Sequence, residues 1–267
     1  MAVYYVENSW GGTSGHDGGA WVLGARDDKP QYVVAIDIAS KDGGKSFQGT
    51  MTYQGEGPIG FRAKNVTGNT YVVENQWGGN KAPWHPGGLF LIGGRDQKCV
   101  ALKVEGDGKT LEGEMTYEGE GPIGFAAKMA NGNAYMTENS WGGSGGHPGG
   151  VWVIGCRGNQ RAISVEAKSS NNGANLDGNM TYSGEGPIGL KATLRGGNAG
   201  NNYNTENSWG GSGGHDGGKW VVGTRGNNQG VVQLDISSGD DGKSFKGTMT
   251  YNGEGPIGVT GKLISAS

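Results

Sequence analysis

The sequence predicts an all-β protein built as two tandem, ten-stranded antiparallel β-barrels. The first reason is an internal repeat: Gly-Glu-Gly-Pro-Ile-Gly occurs four times, beginning at Gly55, Gly119, Gly184 and Gly253. The second is the alternation of apolar and polar side chains over short segments, which is typical of strands. The third is glycine, at 58 of 267 residues, which recurs in register and therefore indicates turns rather than disorder.

A second motif, Glu-Asn-(Ser/Gln)-Trp-Gly-Gly, keeps step with the first. Its tryptophans are Trp10, Trp77, Trp141 and Trp209, and the first motif recurs at intervals of 64, 65 and 69 residues. The chain is therefore one unit of about 67 residues written four times, with repeats at 1–67, 68–133, 134–199 and 200–267. An enzyme needs one asymmetric site, whereas four copies of a loop suggest four copies of a weak binding site.

Each repeat predicts five short strands. In the first copy they cover residues 4–7, 21–26, 33–38, 47–53 and 59–64. In the third of these segments Val34, Ile36 and Ile38 are expected on one face and Asp37 on the other. The Asp-Gly-Gly-Lys segment at 42–45 is a strong hairpin signal, because aspartate and glycine tolerate positive φ.

A five-stranded unit alone would bury little apolar surface and would leave open edges. Two repeats that close into one ten-stranded barrel solve both problems. We therefore expect one barrel over residues 1–133 and another over 134–267. A four-bladed β-propeller is the geometric alternative, since it is also a radial array of small sheets.

Composition limits the classes of partner. The net charge is −3 and 18% of residues are charged, which argues against nucleic acid and anionic membranes as main partners. The longest apolar runs are strand-sized, too short for a transmembrane helix. The first ten residues lack the basic region and apolar core of a secretory signal, so we expect cytoplasmic synthesis, with release by a non-standard route left open. Cys99 and Cys156 occupy non-equivalent positions, which makes a structural disulfide or cysteine metal site an unattractive interpretation.

The repeated tryptophans are candidates for ligand contact. Each of Trp10, Trp77, Trp141 and Trp209 precedes two glycines in an expected loop, which leaves room for a ligand ring against the indole. Sugar rings have apolar C–H faces that stack on indole and hydroxyls that form hydrogen bonds. Core packing is the alternative. It fits a second tryptophan set well, because these lie in strands and Phe90 replaces them in the second copy: Trp21, Trp152 and Trp220.

Two charged residues also recur. A glutamate between glycines can accept two sugar hydroxyls, although a solvated turn residue is the alternative; these are Glu56, Glu120, Glu185 and Glu254. An arginine after the second strand could donate to a sugar oxygen, orient the glutamate or form a structural ion pair; these are Arg26, Arg95, Arg157 and Arg225.

No metal or other cofactor is expected. One histidine recurs per repeat, at His16, His85, His147 and His215, but no second His or Cys lies nearby in sequence, so a polar loop histidine is the better interpretation. The Asp-Gly turns lack the acidic ladder of a calcium loop.

Two other functions compete with binding. The glutamates Glu7 and Glu56 recur in every repeat, and glycosidases use paired carboxylates, but four identical catalytic centres in so short a chain would be unusual. We therefore expect no enzyme. A structural coat or matrix protein that uses the repeats for assembly is the remaining alternative.

Together the motifs resemble the Oscillatoria agardhii agglutinin family of high-mannose lectins, over essentially the whole chain. The motifs are Glu-Asn-(Ser/Gln)-Trp-Gly-Gly, (Leu/Ile/Val)-Gly-X-Arg, Asp-Gly-Gly-Lys and Met-Thr-Tyr-X-Gly-Glu-Gly-Pro-Ile-Gly. The resemblance implies two barrels in tandem and metal-free binding of the branched mannose core of N-linked glycans. It further implies a monomer with four sites and viral envelope glycoproteins among the partners.

In this family each site combines the Trp-Gly-Gly segment of one repeat with the arginine and Gly-Glu-Gly segment of its partner repeat. The resemblance therefore implies one site from Trp10, Gly11 and Gly12 with Arg95, Glu120 and Gly121. A second would combine Trp77, Gly78 and Gly79 with Arg26, Glu56 and Gly57. In the other barrel Trp141, Gly142 and Gly143 would face Arg225, Glu254 and Gly255, and Trp209, Gly210 and Gly211 would face Arg157, Glu185 and Gly186.

The chain departs from the family pattern beside three of these sites. The family continues Trp-Gly-Gly with an Ala-Pro-Trp segment, which only the second copy keeps, as Ala82-Pro83-Trp84. The other copies read Gly-His-(Asp/Pro)-Gly-Gly. Trp77 is 18 residues before its arginine, but the spacing is 16 in the other three copies. Shape and affinity are therefore expected to differ between sites.

Overall fold

A computed structural model describes residues 2–11, 13–24, 31–79, 81–130, 132–142, 144–155, 157, 160–195, 201–225 and 229–265. Twenty β-strands run through these residues, five in each repeat, and the predicted all-β class is confirmed. No helix in the described ranges is long and apolar enough to span a membrane.

Ten strands form a first closed barrel in the order β1-β10-β9-β8-β3-β4-β5-β6-β7-β2. Each repeat contributes five strands, as predicted, and closure into a barrel rules out the propeller. The strands are β1 (Ala2–Trp10), β2 (Thr13–Leu23), β3 (Val33–Ala39), β4 (Ser46–Tyr53), β5 (Ile59–Thr67), β6 (Thr70–Gln76), β7 (His85–Leu91), β8 (Cys99–Gly106), β9 (Thr110–Tyr117) and β10 (Ile123–Ala130).

The other ten strands form a second closed barrel with the same connectivity, β11-β12-β17-β16-β15-β14-β13-β18-β19-β20. Residues up to Ala130 pack as one compact unit and those that follow as a second. The strands are β11 (Ala134–Trp141), β12 (Ser144–Val153), β13 (Ala162–Lys168), β14 (Asn175–Tyr182), β15 (Ile188–Leu194), β16 (Asn202–Trp209), β17 (Ser212–Val221), β18 (Val231–Ser237), β19 (Ser244–Tyr251) and β20 (Ile257–Ser265).

Each barrel is filled by its own aromatic and aliphatic side chains. Trp21, Trp152 and Trp220 are fully buried, and Phe90 takes the same role in the second repeat, as predicted for this set. Inward-facing Ile59, Phe61 and Ala63 also follow the predicted alternation.

The predicted face of β3 is wrong at its start. Val33, Ile36 and Ile38 are buried, whereas Val34 is only partly so. The reason is a β-bulge: Val33 pairs with Tyr53 but Ala35 pairs with Thr52, so one extra residue shifts the alternation. The same shift occurs between Cys99 and Ala101, Ala162 and Ser164, and Val231 and Gln233, so the bulge belongs to the repeat.

The first hairpin is longer than predicted. Residues 13–20 form strand rather than loop, and β1 and β2 pair from Ala2–Leu23 as far as Trp10–Thr13. At Gly18, inside β2, glycine is needed because the neighbouring strand β1 leaves no room for a side chain. A side chain on Gly18 would meet the Val6 side chain at 2.6 Å and the Asn8 side chain at 2.9 Å.

Cys99 is buried and free, and burial raises the pKa of its thiol to about 12. Cys156 lies outside the described residues.

Candidate functional site

Strand register brings each repeated tryptophan beside the glutamate loop of the other repeat. Ser9 of β1 pairs with Gly124 of β10, so Trp10 lies next to the loop that precedes β10. Gln76 of β6 pairs with Gly60 of β5, which places Trp77 beside the first glutamate loop. The second barrel repeats this arrangement through the pairs Ser140–Gly258 and Ser208–Gly189.

In three repeats the asparagine two residues before the tryptophan helps to fix this register. Asn8 is buried, and its side-chain amide donates to the sulfur of Met115 on β9 at 3.2 Å. Asn75 and Asn207 make the same bond, to Met51 at 3.0 Å and Met180 at 3.3 Å. The asparagine of the Glu-Asn motif and the methionine of the Met-Thr-Tyr motif thus form one hydrogen bond, which links the strand that carries the tryptophan to the other repeat.

In the site at Trp10, three predicted residues meet. The Arg95 guanidinium lies 4.7 Å from the centre of the Trp10 ring, and its Nη1 donates to Glu120 at 3.1 Å. Its other neighbour is the ring of Tyr117, at 4.6 Å. Arg95 is thus held between two aromatic rings and a carboxylate, contacts that suit a planar cation.

The two sites of the second barrel have the same plan. Arg157 lies 4.3 Å from the Trp209 ring and donates to both oxygens of Glu185 at 2.8 Å. Arg225 lies 5.9 Å from the Trp141 ring and forms an ion pair with Glu254. In each site the arginine orients the glutamate, which is one of the roles that the sequence left open.

The remaining site is described in part. The indole Nε1 of Trp77 donates to Glu56 at 3.4 Å. Arg26, Gly12 and Gly143 were also predicted as site residues, and they lie outside the described residues.

The repeated tryptophans are neither fully buried nor fully exposed. Trp10, Trp77, Trp141 and Trp209 are half-buried and pack against the barrel core with part of their surface. Their predicted place in a loop is wrong for three of them, since Trp10, Trp141 and Trp209 are the last residues of strands. A strand end holds an indole more rigidly than a loop would.

Sequence reasoning missed two further residue types in these sites. The tyrosine of Met-Thr-Tyr lies under the arginine in three sites, as Tyr117, Tyr182 and Tyr251. Gln160 and Gln229 donate to Glu185 at 3.0 Å and to Glu254 at 3.2 Å. The tyrosine was detectable, because it always comes three residues before the glutamate.

The predicted position of the histidines in loops is also wrong. His16, His147 and His215 are exposed, as expected, but they lie in strands and pack edge-on against the site tryptophan. The ring centres are 4.9, 4.9 and 4.8 Å apart. His85 lies 5.6 Å from Trp77. A constant spacing of six residues from tryptophan to histidine in the three short copies was the available signal.

The glycines of the sites differ in what requires them. Gly11, Gly142 and Gly210 have φ of 53, 52 and 52°, a conformation that favours glycine. By contrast, the glycine after each glutamate has no positive φ, and a β-carbon there would meet no atom within 4 Å; these are Gly57, Gly121, Gly186 and Gly255.

No group of three or more His, Cys, Asp or Glu side chains among the described residues could hold a metal ion. An indole, a paired carboxylate and open glycine backbone are instead the groups with which proteins bind carbohydrates. The fold and these sites thus define a sugar-binding β-barrel protein.

Comparison with known proteins gives the family. The model for the OAA-family lectin sugar binding domain matches residues 2–66, 69–130, 133–195 and 201–264. The chain therefore belongs to the OAA-family lectins. Lectins bind sugars without transforming them, so the chain is not the glycosidase that paired glutamates could have suggested.

Relatives and solved structures agree over the full length. Myxobacterial hemagglutinin from Myxococcus xanthus is 53% identical over 98% of this chain and 100% of its own length. Lectin SfL-2 from Solieria filiformis is 50% identical over 97% of this chain and 98% of its own. The crystal structure of Burkholderia oklahomensis agglutinin matches with a TM-score of 0.92 and 55% identity, covering 98% of this chain and 95% of that one. The Myxococcus xanthus hemagglutinin, crystallised in complex with α3,α6-mannopentaose, matches with a TM-score of 0.91 and 53% identity, covering 98% of this chain and 100% of that one.

Proposed function

We propose that the chain is a multivalent agglutinin that binds the branched mannose core of high-mannose N-glycans, without metal, at four sites on a monomer. The mannopentaose complex of a relative 53% identical to this chain supports the choice of sugar. High-mannose glycoproteins, including those of viral envelopes, are the corresponding partners.

The observation that carries this proposal is the open glycine after each glutamate. At Gly121 neither backbone conformation nor packing within the protein requires glycine. The same holds for the glycine after the glutamate in all four repeats, and this recurrence beside the paired carboxylate supports a ligand that uses the space. A saccharide that approaches the Glu120 carboxylate over the bare backbone occupies that space.

The geometry also indicates how the sugar is held. Arg95 keeps the Glu120 carboxylate in place, so that its lone pairs can accept hydroxyls from the sugar. Because Arg95 covers one face of the Trp10 ring, the exposed remainder of the indole contacts the sugar C–H groups. A site of this kind binds weakly after entropic costs, so affinity should come from branched ligands and from several sites acting together.

A glycan array with the full chain tests the choice of ligand. We expect branched oligomannose to dominate, with little binding to simple mannose, and binding should survive excess EDTA. A matched variant with Glu56, Glu120, Glu185 and Glu254 all changed to alanine should fold but lose the signal. Dominance of galactose-terminated or sialylated glycans, or loss of binding in EDTA with recovery on adding calcium, would overturn the proposal.

A further inference from the structure

In the Trp10, Trp141 and Trp209 sites the tryptophan and the arginine of the same repeat are 16 residues apart, and we call these the short-loop sites. They share a second contact of the histidine. In each, the histidine that packs on the site tryptophan also contacts a hydroxyl at the turn. His16 Nε2 is 3.1 Å from Thr13 Oγ1, and His147 and His215 are each 3.2 Å from the hydroxyl oxygens of Ser144 and Ser212. Three independent copies thus have the same geometry.

The hydroxyl fixes the direction of these bonds. Thr13 Oγ1 donates its single proton to the backbone carbonyl of Trp10 at 2.6 Å, and that carbonyl can only accept. The contact with His16 therefore requires Nε2 to donate. Ser144 and Ser212 donate in the same way to the carbonyls of Trp141 and Trp209, at 2.8 and 2.7 Å. The three histidines must carry a proton on Nε2.

In the Trp77 site, where this spacing is 18 residues and which we call the long-loop site, the hairpin end is held by a different hydrogen bond. Residues 78–84 contain no serine or threonine, so this loop offers no such hydroxyl. Instead the Gln76 amide donates to the backbone carbonyl of Ala82 at 2.5 Å. Trp84 lies beneath the Arg62 guanidinium, 4.3 Å from the ring centre.

This difference explains a variation in the sequence motif. Copies with the short Gly-His loop have serine before the tryptophan, at Ser9, Ser140 and Ser208, whereas the copy with Ala-Pro-Trp has Gln76. Glutamine is long enough to reach the loop carbonyl. Each loop type therefore comes with its own means of holding the hairpin end that carries the tryptophan.

We propose that His16, His147 and His215 are positioning residues that hold the indole of the three short-loop sugar sites, in place of the Gln76 brace of the long-loop site. This inference rests on the proposed function, since it assigns the indole to sugar contact. These histidines and their hydroxyl partners are exposed, so the barrel core does not depend on them. Their effect is on the site tryptophan, through the ring contact and the bonded turn.

The test compares the two loop types in the full chain. Glu56→Ala, Glu185→Ala and Glu254→Ala leave the Trp10 site, and Glu120→Ala, Glu185→Ala and Glu254→Ala leave the Trp77 site. Calorimetric titration with α3,α6-mannopentaose then measures one site at a time. In the first background His16→Ala should weaken binding about three- to tenfold and Thr13→Val about threefold, with unchanged thermal unfolding. His16→Phe should restore part of the loss, because it restores the ring contact.

In the second background His85→Ala should change binding less than His16→Ala does, whereas Gln76→Ser should weaken it. Proton–nitrogen NMR of the unmodified chain should show the Nε2–H form for His16, His147 and His215. Absence of binding in both backgrounds would reject the proposed function itself. Binding that His16→Ala leaves unchanged, or neutral histidines whose Nε2 carries no proton, would overturn the positioning role alone.

Discussion

At the residue scale, the arginine is the centre of each described site. Arg95 contacts Trp10 at the end of β1, Tyr117 at the end of β9 and Glu120 in the turn between β9 and β10. The pair with Glu120 is partly exposed to solvent, so its value lies in geometry more than in stability. A planar guanidinium can stack on two rings and pair with a carboxylate at once, which a lysine ammonium cannot do.

Arg95→Lys should therefore weaken sugar binding at the Trp10 site by about tenfold while the barrel stays folded. The charge remains, but the contacts to the two rings are lost. Titration in the background that leaves only this site would measure the effect. Equal affinities of the two proteins would show that the stacked guanidinium is not needed.

Two glycines of one motif should respond in opposite ways. Gly121→Ala should leave unfolding unchanged but weaken binding by about tenfold or more, since the methyl enters the space for the ligand. Gly124→Ala should instead destabilise the barrel by about 1 kcal/mol, because its β-carbon would overlap the Ser9 hydroxyl across the strand pair and force that side chain out of its rotamer. Urea unfolding and titration of both variants would separate these effects. Destabilisation by Gly121→Ala would remove the main support for the ligand contact.

At the element scale, the turns between the third and fourth strand of each repeat are held by a side chain. Asp42 accepts from the backbone N–H of Ser46 at 2.8 Å and from the Ser40 hydroxyl at 2.7 Å. Hydrogen bonds from Ser46, then Ser40, lower the pKa of Asp42 to about 2. In the third repeat Asn171 makes the equivalent bonds without a charge.

Acid should reveal this difference. The folded pKa of Asp42 lies below its ordinary value, so its contribution to stability is present above about pH 4 and is lost as the pH falls through about 2. Asp42→Asn should lower the unfolding free energy of the chain near neutral pH, and the difference from the unchanged protein should shrink steeply as the pH falls from about 4 to about 2. Asn171→Asp, the converse change, should add pH dependence. Denaturant unfolding over this pH range is the measurement, and a difference that does not shrink would contradict the assignment.

The elements that sequence could predict are those with local signals. Alternation located β4 and β5, and the Asp-Gly-Gly-Lys turn located the hairpin before β4. The bulge at Val34 has no local signal, because it depends on how β3 pairs with β4. Glycine is depleted in strands, so residues 13–20 carry no strand signal, yet the close approach of Val6 and Asn8 requires glycine at Gly18.

The site could be predicted only in part for the same reason. Residue chemistry singled out Trp10, Arg95 and Glu120, but grouping them across repeats came from the family resemblance. Without that resemblance, Trp10 and Glu56 look like natural partners, because both lie in the first repeat. Pairing between β1 and β10 decides the question, and it joins residues more than a hundred positions apart. The histidine contact was missed because it too depends on pairing, between β1 and β2.

At the scale of the whole molecule, two barrels with the same connectivity each carry two of the proposed sites. Trp10 and Trp77 serve the first barrel, and Trp141 and Trp209 the second. Linked sites bind a dense glycan surface more tightly than any single site, through effective concentration.

Silencing one barrel should therefore cost more on a surface than in solution. Glu56→Ala with Glu120→Ala should leave the affinity of each remaining site for free mannopentaose unchanged, but should lower apparent affinity for a dense high-mannose surface by about 100-fold. Surface binding and calorimetry on the same full-length variant provide the comparison. A surface affinity that falls only in proportion to the number of sites would indicate that the barrels act independently.

The crossed construction of the sites also constrains how such a gene can change its length. Loss of one repeat by unequal recombination would remove the indole from one site and the carboxylate from another, so a single event would destroy two sites and reopen a barrel. Gain of one repeat would add an indole without its carboxylate and a carboxylate without its indole, and so no complete site. Chains of this kind should therefore contain an even number of repeats. Binding sites are gained or lost in pairs, together with two repeats, although the sequence itself repeats about every 67 residues.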